Sequence, residues 1–338
     1  MNSPDLDVVA IGNAIVDVLV QSSDAFLAEQ GLNKGTMALV DAEQAERLYA
    51  AMGQGVESSG GSAANTLAAI AQLGGRAGFI GRVCDDQLGA IFAHDLRATG
   101  AIFTTPAATA GAPTARCLIL VSPDAQRTMC TYLGASVDLD PKDLDLSMVQ
   151  RARVLYLEGY LWDAEPAKQA FLAAAAAVKS NGGEVALSLS DPFCVARHRQ
   201  SFLELVEGYV DILFANEAEI TSLYSTDSFE IAAQRVRGHC RLACLTRSGE
   251  GSLVLEGEKS FQIPAYKLGE LVDTTGAGDS YAAGFLYGYC RGLDPQLCGQ
   301  IGSLCAGQVV TQIGPRSAVN LQELVRLHLP AAGVDSSS

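Results

Sequence analysis

"DTTGAGDSYAAGF", from Asp273 to Phe285, sets Gly276, Gly278 and the acid Asp279 between a polar run and an apolar one. After Gly278 the apolar positions Ala282, Ala283, Phe285, Leu286 and Tyr289 recur at helical spacing, so "GAGD" belongs in the first turn of a helix. That turn leaves backbone N–H groups without internal partners, at the positive end of the helix dipole. Gly276, Ala277 and Gly278 carry little bulk, so a phosphoryl group can approach their N–H groups closely. A loop that only held phosphate would avoid the carboxylate of Asp279. A phosphotransferase can use it, as the base that takes the acceptor hydroxyl's proton. The dipole favours ionised Asp279 and predicts a weak base, which suffices where the transition state asks mainly for positioning. The local pattern also accommodates a plain glycine turn with a first-turn acid.

Outward from this stretch, short apolar runs alternate with longer helical patterns. "LDVVAIG", "VLYLEG", "EVALSL", "VDILFAN" and "LACLTRS" read as buried strands. "GSAANTLAAIAQLGG" reads as a helix capped by Ser62 and ended by Gly74. "DAEPAKQAFLAAAAAVKSNGG" reads as another, with Asp163 as cap, Pro166 in the first turn and Gly182 at the exit. Strands alternating with helices predict a mostly parallel sheet with helices on both faces. Two regions break the rhythm, near 14–40 and near 103–134, with β patterning and no intervening helix. In the second, "TARCLILVSPDAQRTMCTYLG" predicts two strands around a Ser122-Pro123-Asp124 turn. These segments predict a small sheet beside the main one, a lid on a single domain spanning 1–332, or else edge strands of the same sheet. Residues 333–338 are expected to form a disordered tail.

With 49% apolar and 18% charged residues among 338, the chain can bury a sizeable core. A net charge of −15 disfavours nucleic acid and anionic membrane as partners. No apolar run is long enough to span a bilayer, and no secretory leader precedes "MNSPDLDVVAIGN". The nine cysteines therefore read as reduced, buried thiols of a cytoplasmic protein. His239, Cys240 and Cys244 lack the second ligand pair that a zinc site needs. No G-x-x-x-x-G-K-[ST] or G-x-S-x-G occurs, so neither a P-loop nor a hydrolase elbow is indicated.

The string "DTTGAGDSYAAGF" closely resembles the C-terminal signature of the ribokinase-like (PfkB) family of carbohydrate and nucleoside kinases. "SGGSAANTLAAIAQLGG", Ser59 to Gly75, resembles that family's N-terminal signature, and the two lie about 200 residues apart in the right order. "IGNAIVD", "GRVCDDQLG", "FANEAE" and "IGPRSAV" extend the likeness along nearly the whole chain. The resemblance implies a three-layer α/β/α sandwich with a small β lid, and ATP-dependent transfer to a hydroxymethyl group. It makes Asp279 the base and Gly276, Ala277 and Gly278 the anion hole. It assigns the acceptor's hydroxyls to Asn13, Asp17, Gly61 and Asn65, and magnesium with its waters to Asn216 and Glu219. Thr246 and Gly251 in "LTRSGEGS" would contact ATP, with Ser248 where a glycine is usual; Cys84 likewise replaces a glycine. Asp273, Thr275 and the "IGPRS" backbone fall where relatives hold a monovalent cation such as K+.

Within the family, "NKGTMALVD", "RTMCTYLGAS" and "EGYLWD" resemble bacterial members of the adenosine kinase branch. An adenine base needs a flat apolar slot, and Met37, Tyr132, Tyr160 and Leu161 are the candidates to line it. Leu161 stands where some of that branch carry a second aromatic. The expected activity is phosphorylation of the adenosine 5′-hydroxyl with ATP and Mg2+. A ribokinase or fructokinase is the alternative, and a ligand-binding protein that has lost turnover is the second. The partners expected are a nucleoside or sugar and ATP, for a monomer or homodimer.

Overall fold

A computed structural model describes residues 4–124 and 126–333. In chain order its strands are β1 (Leu6–Ile11), β2 (Ile15–Gln21), β3 (Met37–Leu39), β4 (Val56–Gly60), β5 (Ala77–Ile80), β6 (Ile102–Phe103), β7 (Ala115–Val121), β8 (Arg127–Tyr132), β9 (Ala152–Glu158), β10 (Glu184–Ser188), β11 (Ile212–Asn216), β12 (Leu242–Thr246), β13 (Ser252–Glu256) and β14 (Lys259–Ile263). Nine of them form one sheet in the order β14-β13-β12-β11-β10-β9-β1-β5-β6. It is parallel from β12 to β6, and β13 and β14 close one edge antiparallel.

Strand alternation feeds two cores. Val8 and Ala10 of β1 join Leu67, Ile70, Phe285 and Ile301 on one face. Val9 and Ile11 join Phe171, Phe202 and Ile220 on the other. Both faces are thus buried under helices, which is why the strands are continuously apolar. Pro166 sits in the first turn of the helix Glu165–Ser180, and Gly182 leaves it with φ +79°. Asp163 does not cap this helix. The cap is Ala164, without a side-chain bond, and Asp163 instead pairs with Arg197 at 2.7 Å and His198 at 2.6 Å.

The smaller sheet has the order β3-β8-β7-β2-β4. β7 and β8 make the expected antiparallel hairpin, with Val121 opposite Arg127. Two departures concern its extent. A short helix, Asp24–Glu29, capped by Ser23, interrupts the first segment, and β4 joins the sheet from outside both segments. Val16, Val18, Val20, Leu118 and Leu120 pack under the helices Ala42–Ala51 and Gln87–Ala98. The opposite face of the sheet, with Asp17, Cys117, Ile119, Met129 and Thr131, is left for a cavity. Among the described residues no helix is long and apolar enough to cross a membrane. Beyond Gly333, the expected tail lies outside the described residues.

Candidate active site

The C-terminal ends of the parallel strands and the start of the helix Ala277–Cys290 face the smaller sheet across a cavity of about 870 Å³. Ligands of open α/β sheets bind at this end of the strands, and the volume suits small molecules.

Gly276 caps the helix in the left-handed region, φ +76°, and a Cβ there would lie 2.6 Å from the backbone of Pro315. The conformational demand therefore falls on Gly276. Gly278 faces open space, and a Cβ there would meet nothing within 4 Å. Among the described residues the N–H groups of Gly276, Gly278 and Asp279 have no protein acceptor, whereas that of Ala277 bonds the Thr274 carbonyl at 3.2 Å. Asp279 accepts a 2.6 Å hydrogen bond from Ser62 Oγ, and the Asn65 amide acts on it to favour its ionised form. Ser62 is thus not the expected helix cap. Gly61 holds that position at φ +92°, where a Cβ would lie 2.3 Å from the Asn13 carbonyl. The Ser62 bond spans 217 residues and joins the two signatures. Burial pushes Asp279 up to about 6, against the lowering by Ser62 and Asn65. Where the helix dipole alone favours a weak base, desolvation acts in the opposite sense, toward a stronger one.

Asn13, Asp17, Gly61 and Asn65 line the same cavity. Glu158, 1% exposed at the end of β9, accepts from Asn13 Nδ2 at 2.7 Å, Asn13 N at 3.2 Å and Ala63 N at 2.8 Å. That leaves Asn13 Oδ1 a buried acceptor without a protein partner, a group that is costly unless something donates to it. Arg316 holds the other amide, donating Nε to Asn65 Oδ1 at 3.2 Å while it pairs with Asp95 at 2.9 Å and bonds Ser59. Burial raises Asp17 to about 6, opposed by Arg316 and Arg127, and raises Glu158 to about 7.

Thr246, Asn216 and Glu219 also line the cavity. Asn216 and Glu219 form a reciprocal cap, with Asn216 N on Glu219 Oε2 at 2.9 Å and Glu219 N on Asn216 Oδ1 at 2.9 Å. Burial lifts Glu219 to about 7. One carboxylate and one amide suit an ion that keeps its own waters, and no cluster of three or more metal-binding side chains occurs among the described residues. The donor set therefore fits outer-sphere magnesium.

Met37 and Tyr160 line the cavity; Tyr132 and Leu161 do not. On β8 the period of two sends Met129 and Thr131 to the cavity and Tyr132 to the opposite face, beside Arg116. Leu161 is packed in the core. Gly251 sits in the turn between β12 and β13, donating to the Ser248 carbonyl, and lies outside the lining. Asp273 and Thr275 are tied to Arg127, with Asp273 Oδ2 at 2.7 Å from the guanidinium. Sequence reasoning did not identify Ser62, Glu158, Arg316, Arg127 or Phe193. Ser62, Arg316 and Arg127 lie inside the quoted "SGGSAAN", "IGPRSAV" and "RTMCTYLGAS" without a site role assigned, Glu158 shows as an acid ending an otherwise apolar strand, and Phe193 carries no signal. Phe193, 73% exposed, lines the cavity, as do Met37 at 52% and Leu39 at 65%.

Residues 36–321 match the family model described as pfkB family carbohydrate kinase. The crystal structure of a probable sugar kinase from Rhizobium etli CFN 42 is 47% identical over 98% of this chain and 99% of its own, with a TM-score of 0.88. That of an adenosine kinase from Sinorhizobium meliloti is 50% identical over 95% of this chain and 99% of its own, with a TM-score of 0.87. Fructokinase-1 from Oryza sativa subsp. japonica is 30% identical over 68% of this chain and 73% of its own length.

Proposed function

The chain belongs to the pfkB family of carbohydrate kinases, and from that premise we propose that it transfers the γ-phosphoryl group of ATP to the 5′-hydroxyl of adenosine. Asp279 takes the hydroxyl proton as the acceptor oxygen–phosphorus bond forms and the bond to the ADP leaving oxygen breaks. The free N–H groups of Gly276 and Gly278 hold the phosphoryl oxygens at the helix start. Asn13 Oδ1 and Asp17 accept hydrogen bonds from the ribose diol, and Asn65 donates one. Thr246, Asn216 and Glu219 lie on the nucleotide side, where magnesium would neutralise charge on the phosphates. The smaller sheet serves as a lid on a single kinase domain spanning residues 1–332.

The observation that carries adenosine over a free sugar is the exposed apolar wall of Phe193, Met37, Leu39 and Tyr160 in the cavity. A sugar leaves that wall wet, whereas a purine buries it. Burying an aromatic ring is worth a few kcal/mol, roughly a hundredfold in affinity. The likeness to the Sinorhizobium meliloti adenosine kinase supports the same reading. A second reading, phosphorylation of ribose or fructose, draws on the rice fructokinase and the Rhizobium etli sugar kinase, and uses the same hydroxyl-binding residues. Coupled detection of ADP with Mg2+, ATP and matched concentrations of adenosine, ribose and fructose separates the two. Adenosine should show the highest kcat/KM, with 5′-AMP as product. A higher kcat/KM for either sugar overturns the adenosine reading and leaves the family activity standing.

A further inference from the structure

The resemblance to the family implies a monovalent cation at Asp273 and Thr275, and the side chains around Asp273 do not fit one. The Asp273 carboxylate has about four lone-pair positions to offer. Oδ1 receives the Thr275 N–H at 3.0 Å and the Thr275 hydroxyl at 2.7 Å. Oδ2 receives the Gly314 N–H at 2.9 Å and stands 2.7 Å from the Arg127 guanidinium. Three of these neighbours donate hydrogen bonds, and the fourth, whose Nη2 lacks hydrogen-bond geometry, sets a full positive charge against the remaining lone pair, so a metal ion there would face the guanidinium. Arg127 Nη1 also reaches Thr275 Oγ1 at 3.2 Å. The Arg127 and Asp273 side chains are only 8% and 10% exposed, so water screens their pairing weakly. A second cation beside a buried guanidinium would meet repulsion with little solvent to relieve it.

We infer that the Arg127 guanidinium takes the place of the monovalent ion, so that this protein neither binds nor requires K+ at Asp273 and Thr275. The consequence is local and chemical. Thr275 immediately precedes Gly276, the left-handed cap of the phosphoryl-facing helix. Whatever charge neutralises Asp273 therefore holds the entry to that turn. Elsewhere in the family an ion would do so from solution. Here a side chain at the start of β8 does so, carried on the smaller sheet and reaching across to the main body. The loop's order is then tied to the position of that sheet instead of to the ionic composition of the medium.

The inference rests on the kinase reading only for the meaning of the loop, and its test includes a readout that needs no turnover. Thermal unfolding of the full chain is followed in KCl and in tetramethylammonium chloride at equal ionic strength, with ATP supplied as a potassium-free salt for parallel rate measurements. Wild-type melting temperature and kcat should be the same in the two salts. In Arg127→Met the emptied place should accept the ion: KCl should raise its melting temperature above the tetramethylammonium value, and should restore part of a kcat lowered by about tenfold or more. A wild-type melting temperature or kcat that rises with KCl overturns the inference. So does an Arg127→Met protein that responds to KCl no more than wild type does. If that variant does not fold, the wild-type comparison decides alone. If no acceptor is phosphorylated at all, the functional reading fails while the melting comparison still reports on the ion.

Discussion

Two electrostatic effects oppose each other at Asp279. The start of a helix favours its ionised form, and enclosure by protein disfavours it. Burial lifts the group to about 6, over the lowering by Ser62 and Asn65. A base must be ionised to accept a proton, so activity should be lost as pH falls through that value and be fully present above it. We expect log kcat/KM to level above about 6 and to fall below it with a limiting slope between one and two, because Asp17, which holds the acceptor, is raised to the same range as Asp279. A profile flat down to the ordinary carboxylate range would refute the raised pKa of Asp279. At the same scale, the two departures from the family's glycines have different consequences. Ser248 adopts φ +48°, where a side chain costs about 1 kcal/mol, so the missing glycine is felt there. Cys84 adopts no such backbone and donates its N–H to Thr114 Oγ1 at 2.9 Å, so that replacement carries no backbone strain.

Between elements, the proposed base slot would draw on the helix Pro192–Arg197, which carries Phe193, and on β3 of the smaller sheet, which carries Met37 and Leu39. Phe193→Ala should raise the KM for adenosine by about tenfold or more, with kcat/KM for fructose changed far less, because only the nucleoside covers the ring. Equal losses on both acceptors would mean that Phe193 supports the fold and not the base. Little of this slot is legible in the sequence. Met37 and Tyr160 can be named from their segments, but Tyr132 is misplaced, since a resemblance does not say which face of β8 a residue takes. The helix Asp24–Glu29 escapes notice because a single capped turn and a half is too short to show periodicity. The central strands, by contrast, announce themselves, since burial on both faces leaves unbroken apolar runs such as "ILFA" in β11. Contacts such as Glu158 on Asn13, 145 residues apart, cannot be read, because they exist only once β9 lies beside β1, and Arg127 on Asp273 exists only once the smaller sheet meets the main body.

Taken over the whole molecule, one cavity concentrates four carboxyl groups that burial raises: Asp17 and Asp279 to about 6, Glu158 and Glu219 to about 7. Unfolded, each would release its proton in the ordinary carboxylate range, so in the window up to about 7 the folded state holds more protons. Stability must then fall as pH rises through that window. Carboxyls held below the ordinary range by partners, such as Asp95 and Asp163, lose their contribution only at lower pH and do not oppose this trend. Calorimetry should therefore find a higher melting temperature near pH 6 than near pH 8 for the ligand-free protein, and the reverse order would contradict the burial argument. The account's central claim is that this cluster contains the base for phosphoryl transfer, and Asp279→Asn tests it most directly by keeping the shape and removing the proton acceptor. With adenosine, Mg2+ and ATP, we predict a kcat lower by at least about a hundredfold, with cooperative folding and ATP binding retained in calorimetry. An Asp279→Asn protein that keeps most of its kcat would contradict the account.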